Sequence, residues 1–157
     1  MESKSKSDKW TTHAAVALLR WGLGLLFLFA AAGKFYYQGK WSFENAKWFV
    51  TGYLLEDKLR ESFLPHWLIA GFGYCLPYIE ITLGILLLCG LFRNYVVFIS
   101  GLIFIILTVG AFQAKEWSFV LENFFYIFVS YVLLTNSEWD TWVIDCCNKN
   151  RTDPSER

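Results

Sequence analysis

Residues 67–91 read WLIAGFGYCLPYIEITLGILLLCGL, an apolar run that carries a single charge, Glu80. A run of this length crosses the ~30 Å hydrocarbon core of a bilayer as an α-helix. A carboxylate near the middle of such a helix costs on the order of 2.5–3.5 kcal/mol even on the scales that give the lowest penalties. Glu80 is therefore expected to be paired, protonated or functional.

Three further apolar runs predict three more membrane helices. The four predicted spans are about 14–35, 67–91, 95–112 and 119–134. Because the links between the later spans are very short, neighbouring helices must run antiparallel. The predicted fold class is all-α, an integral membrane up-down-up-down four-helix bundle.

Composition agrees with a chain that lies in a membrane. The sequence is 55% hydrophobic and 20% aromatic, and its formal net charge is zero. Zero net charge gives no general attraction to nucleic acid. The apolar runs of membrane-spanning length make the lipid bilayer the expected partner. Partner subunits or a homo-oligomer are also expected.

The long connection between the first two spans predicts an amphipathic helix at about 42–64, on the bilayer surface or capping the bundle, which Pro65 ends. We predict a polar N-terminus at 1–13, a membrane domain at 14–135 and a polar tail at 136–157. Basic residues in the N-terminal lead, and Arg93 in a short loop, favour both termini in the cytoplasm.

Two basic residues of the first span could face acidic partners. Arg20 lies about 9 Å inside that span, so it either snorkels to the headgroups or pairs with Glu80. Glu122 and Asn123 begin a polar stripe on the fourth span, and we expect Glu122 to pair with Lys34.

Gly73, Pro77, Glu80 and Gly84 are spaced by four, three and four residues, so they share one helix face. Small residues let a neighbouring helix approach closely, and a proline frees a backbone carbonyl and kinks the helix. This face suits a proton, a small ligand or a quinone head group near Glu80. The alternative is a structural ion pair that locks the bundle.

Several kinds of site have little support. The two histidines lie at span edges, so an intramembrane haem lacks ligands, and no metal-ligand spacing occurs. Cys75 and Cys89 point away from Glu80 on the helix. Cys146 and Cys147 are spectator thiols or juxtamembrane acylation sites.

The chain resembles the DoxX family of small four-helix membrane proteins over about 14–135. The resemblance is carried by LRWGLG at 19–24, AGKF at 32–35, EITLGILLLCGL at 80–91, Arg93 and Glu122. It implies a bacterial inner-membrane protein whose relatives include a subunit of a thiosulfate:quinone oxidoreductase. The family's recurring charges correspond to Arg20, Lys34, Glu80, Arg93 and Glu122.

Three functions follow as hypotheses. The first is a membrane subunit of a quinone- or thiol/sulfur-linked redox assembly, in which Glu80 and Arg20 are catalytic and Lys34, Arg93, Glu122 and Asn123 bind or stabilise. The second is a non-catalytic scaffold or assembly factor that binds another membrane protein. The third is a small-solute or ion carrier, which would require an oligomer.

Overall fold

The computed structural model describes residues 2–37, 39–59 and 62–140. In those ranges, four helices are long and apolar enough to cross a membrane. They are α1 (Glu2–Phe35), α3 (His66–Cys89), α4 (Arg93–Gln113) and α5 (Trp117–Thr135), with α2 (Phe43–Trp48) and a π-helix (Phe49–Lys58) between α1 and α3. The predicted all-α membrane bundle is confirmed. Cys146, Cys147 and most of the predicted tail lie outside the described residues.

The four long helices pack as two antiparallel pairs, α1 with α3 and α4 with α5. One hydrophobic core joins the pairs, and the rings of Phe27 on α1 and Phe104 on α4 stack with centroids 5.0 Å apart. Many large apolar side chains point outward, including Phe29, which is 72% exposed. An outward apolar surface is what lipid contact requires.

The two ends of the bundle differ. At the end that we call the hairpin end, α1 and α4 finish and α3 and α5 begin. A two-stranded hairpin, β1 (Tyr36–Tyr37) and β2 (Lys40–Trp41), follows α1 there, and Gly39 supplies the positive φ of 79° in its turn. The opposite end, the terminus end, holds the α3–α4 turn and a 3₁₀ turn (Ser137–Trp139) after α5.

The connection between α1 and α3 is helical, as predicted, and consists of α2 and the π-helix, but its end differs from the prediction. The π-helix stops at Lys58, and Pro65 is the N-cap of α3, where its carbonyl accepts hydrogen bonds from the Leu68 and Ile69 N–H groups at 3.0 and 3.2 Å. Proline lacks an N–H, so it suits a helix start as well as a helix stop. The prediction that Pro65 ends the preceding helix is therefore wrong.

Candidate functional site: two buried ion pairs

The first buried ion pair joins the last turn of α1 to the middle of α3. Lys34 Nζ lies 2.7 Å from both carboxylate oxygens of Glu80. The Glu80 side chain is 3% exposed and the Lys34 side chain 12% exposed. Lys34 Nζ also donates to the Ala30 carbonyl, at 3.2 Å. The mid-membrane carboxylate is thus neutralised from within the fold.

Glycines let α1 and α3 approach closely enough for this pair. A Cβ placed on Gly84 would lie 2.9 Å from the Gly24 carbonyl oxygen and 2.7 Å from Leu28 Cγ. Gly24 therefore meets Gly84 across the contact, with backbone nearly against backbone, as in other closely packed membrane helices. Of the predicted glycine–proline face, Gly73, Pro77 and Gly84 are all buried. Gly73 accommodates the π-helix, because an added Cβ would lie 3.1 Å from Leu54 Cδ1.

The second buried ion pair lies at the terminus end. Arg20 Nε lies 2.8 Å from Asp140 Oδ2, and neither side chain is exposed to any measurable extent. Arg20 Nη1 donates to the carbonyls of Leu87 and Leu88 in the last turn of α3. Carbonyls in a helix's last turn have no partner within the helix, so the guanidinium supplies donors that this turn lacks.

Asp140 reaches this position because the chain turns back into the bundle after α5. Its backbone carbonyl accepts a hydrogen bond of 2.7 Å from Arg93 Nη1, and His13 Nδ1 bonds the Trp139 carbonyl. Asp140 Oδ1 is buried and has no partner among residues 2–37, 39–59 and 62–140. Asp140 was not predicted from the sequence, because it follows the last apolar run and lies in what was predicted to be a polar tail. The available signal was Arg20, since an arginine inside a membrane span often has an acidic partner.

Arg20 does not pair with Glu80, which was one of the two alternatives predicted for it, and helix geometry gives the reason. Side chains on an α-helix lean toward the helix N-terminus. Arg20 therefore leans toward the terminus end, away from Glu80, whereas Lys34 leans back from the end of α1 toward it. The Arg20 side chain extends toward the terminus end, as the snorkelling alternative predicts, but its guanidinium pairs there with the buried carboxylate of Asp140.

The expected Lys34–Glu122 pair is also wrong, because Glu80 takes the Lys34 ammonium. Glu122 lies five residues into α5 and is exposed, and among the described residues no basic side chain pairs with it. Asn123, partly exposed beside it, makes no side-chain hydrogen bond within the described part of the chain. With respect to the described residues, two polar groups therefore lie unpartnered on a membrane-spanning helix.

A cavity of about 330 Å³ lies near the Lys34–Glu80 pair but does not include it. Its lining is almost wholly apolar and mostly aromatic: Phe35, Trp41, Ser42, Phe43, Tyr78 and Ile81. The Glu80 carboxylate therefore does not open into this space. In the described ranges, no three His, Cys, Asp or Glu residues cluster at metal-binding distance.

The fold and these ion pairs define a class: a multi-pass helical membrane protein whose buried charges are compensated internally. The sequence model of the family described as methylamine utilisation protein MauE matches residues 12–119. The match covers more than half of the 157 residues, and the chain belongs to this family. No curated protein and no solved structure matches the chain.

Assignment to the MauE family overturns the resemblance to DoxX. The motifs that carried that resemblance are short, apolar and rich in glycine, with a charge at either edge. The Gly24–Gly84 contact shows that the glycines of these motifs allow close helix packing, and the Lys34–Glu80 pair shows that their charged residues form a buried ion pair. Close-packed membrane bundles with a buried ion pair use the same residue types. They therefore discriminate poorly between families of small helical membrane proteins.

Proposed function

We propose that this protein is a non-catalytic membrane scaffold or assembly factor that binds another membrane protein through α5. The observation that carries the proposal is that Glu122, exposed, and Asn123, partly exposed, have no partner among the described residues although they lie on a membrane helix. A carboxylate facing hydrocarbon is unfavourable by on the order of 2.5–3.5 kcal/mol at mid-membrane and by less toward the surface. A partner that donates hydrogen bonds or a positive charge at this position would offset that penalty.

The surroundings of Glu122 suit a helix-helix contact. Phe125 lies one turn further along α5 and is 62% exposed, and Phe119 lies one turn before and is 51% exposed. Aromatic side chains with a polar group between them resemble the anchors that dominate protein interfaces. Interhelical hydrogen bonds in membranes add about 0.6–2 kcal/mol each, enough to bias which partner binds.

The redox-subunit hypothesis has less support. A quinone or proton site requires a carboxylate that can reach a ligand, but both Glu80 oxygens already accept from Lys34. The nearby aromatic cavity is lined without Glu80. The Lys34–Glu80 and Arg20–Asp140 pairs support the structural alternative, in which buried charges hold the bundle together.

The family's name links its members to methylamine utilisation. We propose that the partner of this chain belongs to that process, and that the protein lies in a bacterial cytoplasmic membrane with both termini in the cytoplasm. Basic residues in the N-terminal lead and Arg93 at the start of α4 support this orientation. Deletion of the gene should impair growth on methylamine and leave growth on ammonium unchanged.

The proposal is tested by photocrosslinking in intact membranes. A photoreactive residue at Phe125 should give a discrete protein adduct, and the same residue at Phe29, which is 72% exposed on α1, should give lipid adducts only. Glu122→Lys should abolish the Phe125 adduct, whereas Glu122→Gln should weaken it. Differently tagged copies distinguish a second copy of this chain from another protein. Lipid adducts alone at both positions would contradict the proposal.

A further inference from the structure

A cavity of about 510 Å³ lies at the hairpin end, between the segment before α3 and the α4–α5 turn. Its lining comprises Ser62, Phe63, Phe112, Gln113, Lys115 and Trp117. Gln113 ends α4 and Trp117 begins α5, so the cavity lies where membrane-spanning helices meet the bilayer surface. Neither ion pair of the candidate site contributes to it.

The polar part of this cavity offers donors that lack acceptors. Gln113 Oε1 accepts a hydrogen bond from Ser62 Oγ, which fixes the amide in place. Gln113 Nε2 is buried and has no acceptor in the part of the chain that the structure describes. Buried amide donors without a partner are rare in folded proteins, so this one requires an explanation, and the capacity to bind a ligand provides it.

Lys115 adds a positive charge to the same cavity. The neighbouring carboxylate, Glu116, is occupied by Lys58, whose Nζ lies 2.5 Å from Glu116 Oε1. In the described residues, no acid pairs with Lys115. An ammonium and an unpaired amide donor that line one cavity favour an anion as the ligand.

The backbone at Lys115 supports a role for its side chain. Lys115 has a positive φ of 57°, and the Lys115 and Glu116 N–H groups donate back to the carbonyls of Phe112 and Ala111. This is the Schellman end of a helix, whose left-handed residue is usually glycine. Gly90 takes the equivalent position at the end of α3, with φ 71°. Lysine is less favourable than glycine in this conformation, and a use for its side chain is one reason for the chain to carry it here.

The rim of the cavity is aromatic. Phe63 is 79% exposed, Trp117 62% and Phe112 58%, and the rings of Phe112 and Trp117 meet edge-to-face with centroids 5.6 Å apart. An apolar rim beside an anion-selective recess fits an amphiphile better than a free ion. The geometry points to a binding site for an anionic phospholipid, whose phosphate accepts from Gln113 Nε2 and Lys115 Nζ while an acyl chain lies along Phe112 and Trp117.

The test is native mass spectrometry of the purified full-length protein, titrated with dioleoyl phosphatidylglycerol or dioleoyl phosphatidylcholine. We expect tighter binding of phosphatidylglycerol and a loss of about tenfold in affinity for that lipid in Lys115→Gly and in Gln113→Glu. Glycine suits the left-handed turn, so Lys115→Gly should fold at least as stably as the wild type. Glutamate still accepts from Ser62 but cannot donate. Lys47→Ala, at an exposed lysine outside the cavity, should bind like the wild type.

Three results would overturn the proposal. Equal affinity for the two lipids would remove the anion selectivity. An equal loss in Lys47→Ala would indicate diffuse attraction to basic residues in place of a defined site. Competition by glycerol phosphate as effective as that by phosphatidylglycerol would assign the recess to a soluble phosphate.

Discussion

Lys34 reaches back from the last turn of α1 to bind both carboxylate oxygens of Glu80, at 2.7 Å each. The two residues are not equivalent, since the Lys34 side chain is 12% exposed and the Glu80 side chain 3% exposed. Lys34 also lies at the end of its helix, where a freed ammonium can extend to the headgroups. Glu80 lies in the middle of α3, so its shorter side chain cannot reach the headgroups if the pair is broken.

This asymmetry predicts unequal effects of removing either partner. Lys34→Met should lower the free energy of unfolding by about 3–5 kcal/mol, because it leaves a buried carboxylate without its cation. Glu80→Gln should lower it by only about 1–2 kcal/mol, because the lysine can turn outward. The double variant Lys34→Met/Glu80→Met should recover most of the loss. Denaturant titration in mixed micelles measures all three, and a larger loss in Glu80→Gln than in Lys34→Met would contradict the argument.

Arg20 is predicted to be irreplaceable by lysine. Its Nε binds Asp140 while its Nη1 donates to the Leu87 and Leu88 carbonyls, and a single ammonium cannot reproduce this fork. Arg20→Lys should therefore destabilise the fold by about 2–3 kcal/mol. Arg93→Lys is the matched control, since Arg93 is partly exposed and gives Asp140 one backbone hydrogen bond. Equal melting temperatures for the two variants would count against a specific role of the Arg20 guanidinium.

The contact between α1 and α3 predicts opposite effects for two glycines. Gly84→Ala places a Cβ 2.9 Å from the Gly24 carbonyl oxygen, so the helices must separate, at a loss of about 1–3 kcal/mol. A Cβ on Gly22 would have nothing within 4 Å, and alanine there should stabilise α1 by up to about 1 kcal/mol. Thermal unfolding in detergent measures both changes. A stable Gly84→Ala variant would mean that the helices are not held this closely.

The sequence predicted the helices well and the ion pairs poorly. Apolar length and short links sufficed for a helical bundle, because the bilayer leaves the backbone few alternatives. Ion pairing between helices depends on the direction in which each side chain leans along its helix. That direction points Arg20 away from Glu80 and points Lys34 toward it. Pairing with Asp140 further required the chain to turn back after α5, and no periodicity in 136–140 indicates that turn. Gln113 and Lys115 gave no signal, because a buried donor and a positive φ are visible only in three dimensions.

The ion pair between Lys58 and Glu116 predicts a pH-dependent contribution to folding stability at the hairpin end. Its hydrogen bond to Glu116 raises the pKa of Lys58 above its ordinary value of about 10.5, an effect that desolvation partly opposes. The folded state therefore holds this proton more tightly than the unfolded chain does. The stabilisation is fully present below the ordinary lysine pKa and is lost as pH rises through the raised one. The difference in melting temperature between the wild type and Lys58→Met should be constant near neutral pH and vanish in strong alkali. In a Glu116→Gln background, the melting-temperature difference caused by Lys58→Met should no longer depend on pH. In a Lys40→Met background, at an exposed lysine of the hairpin, it should depend on pH as in the wild type. A difference that persists unchanged above the raised pKa would show that Lys58 acts through packing and not through its charge.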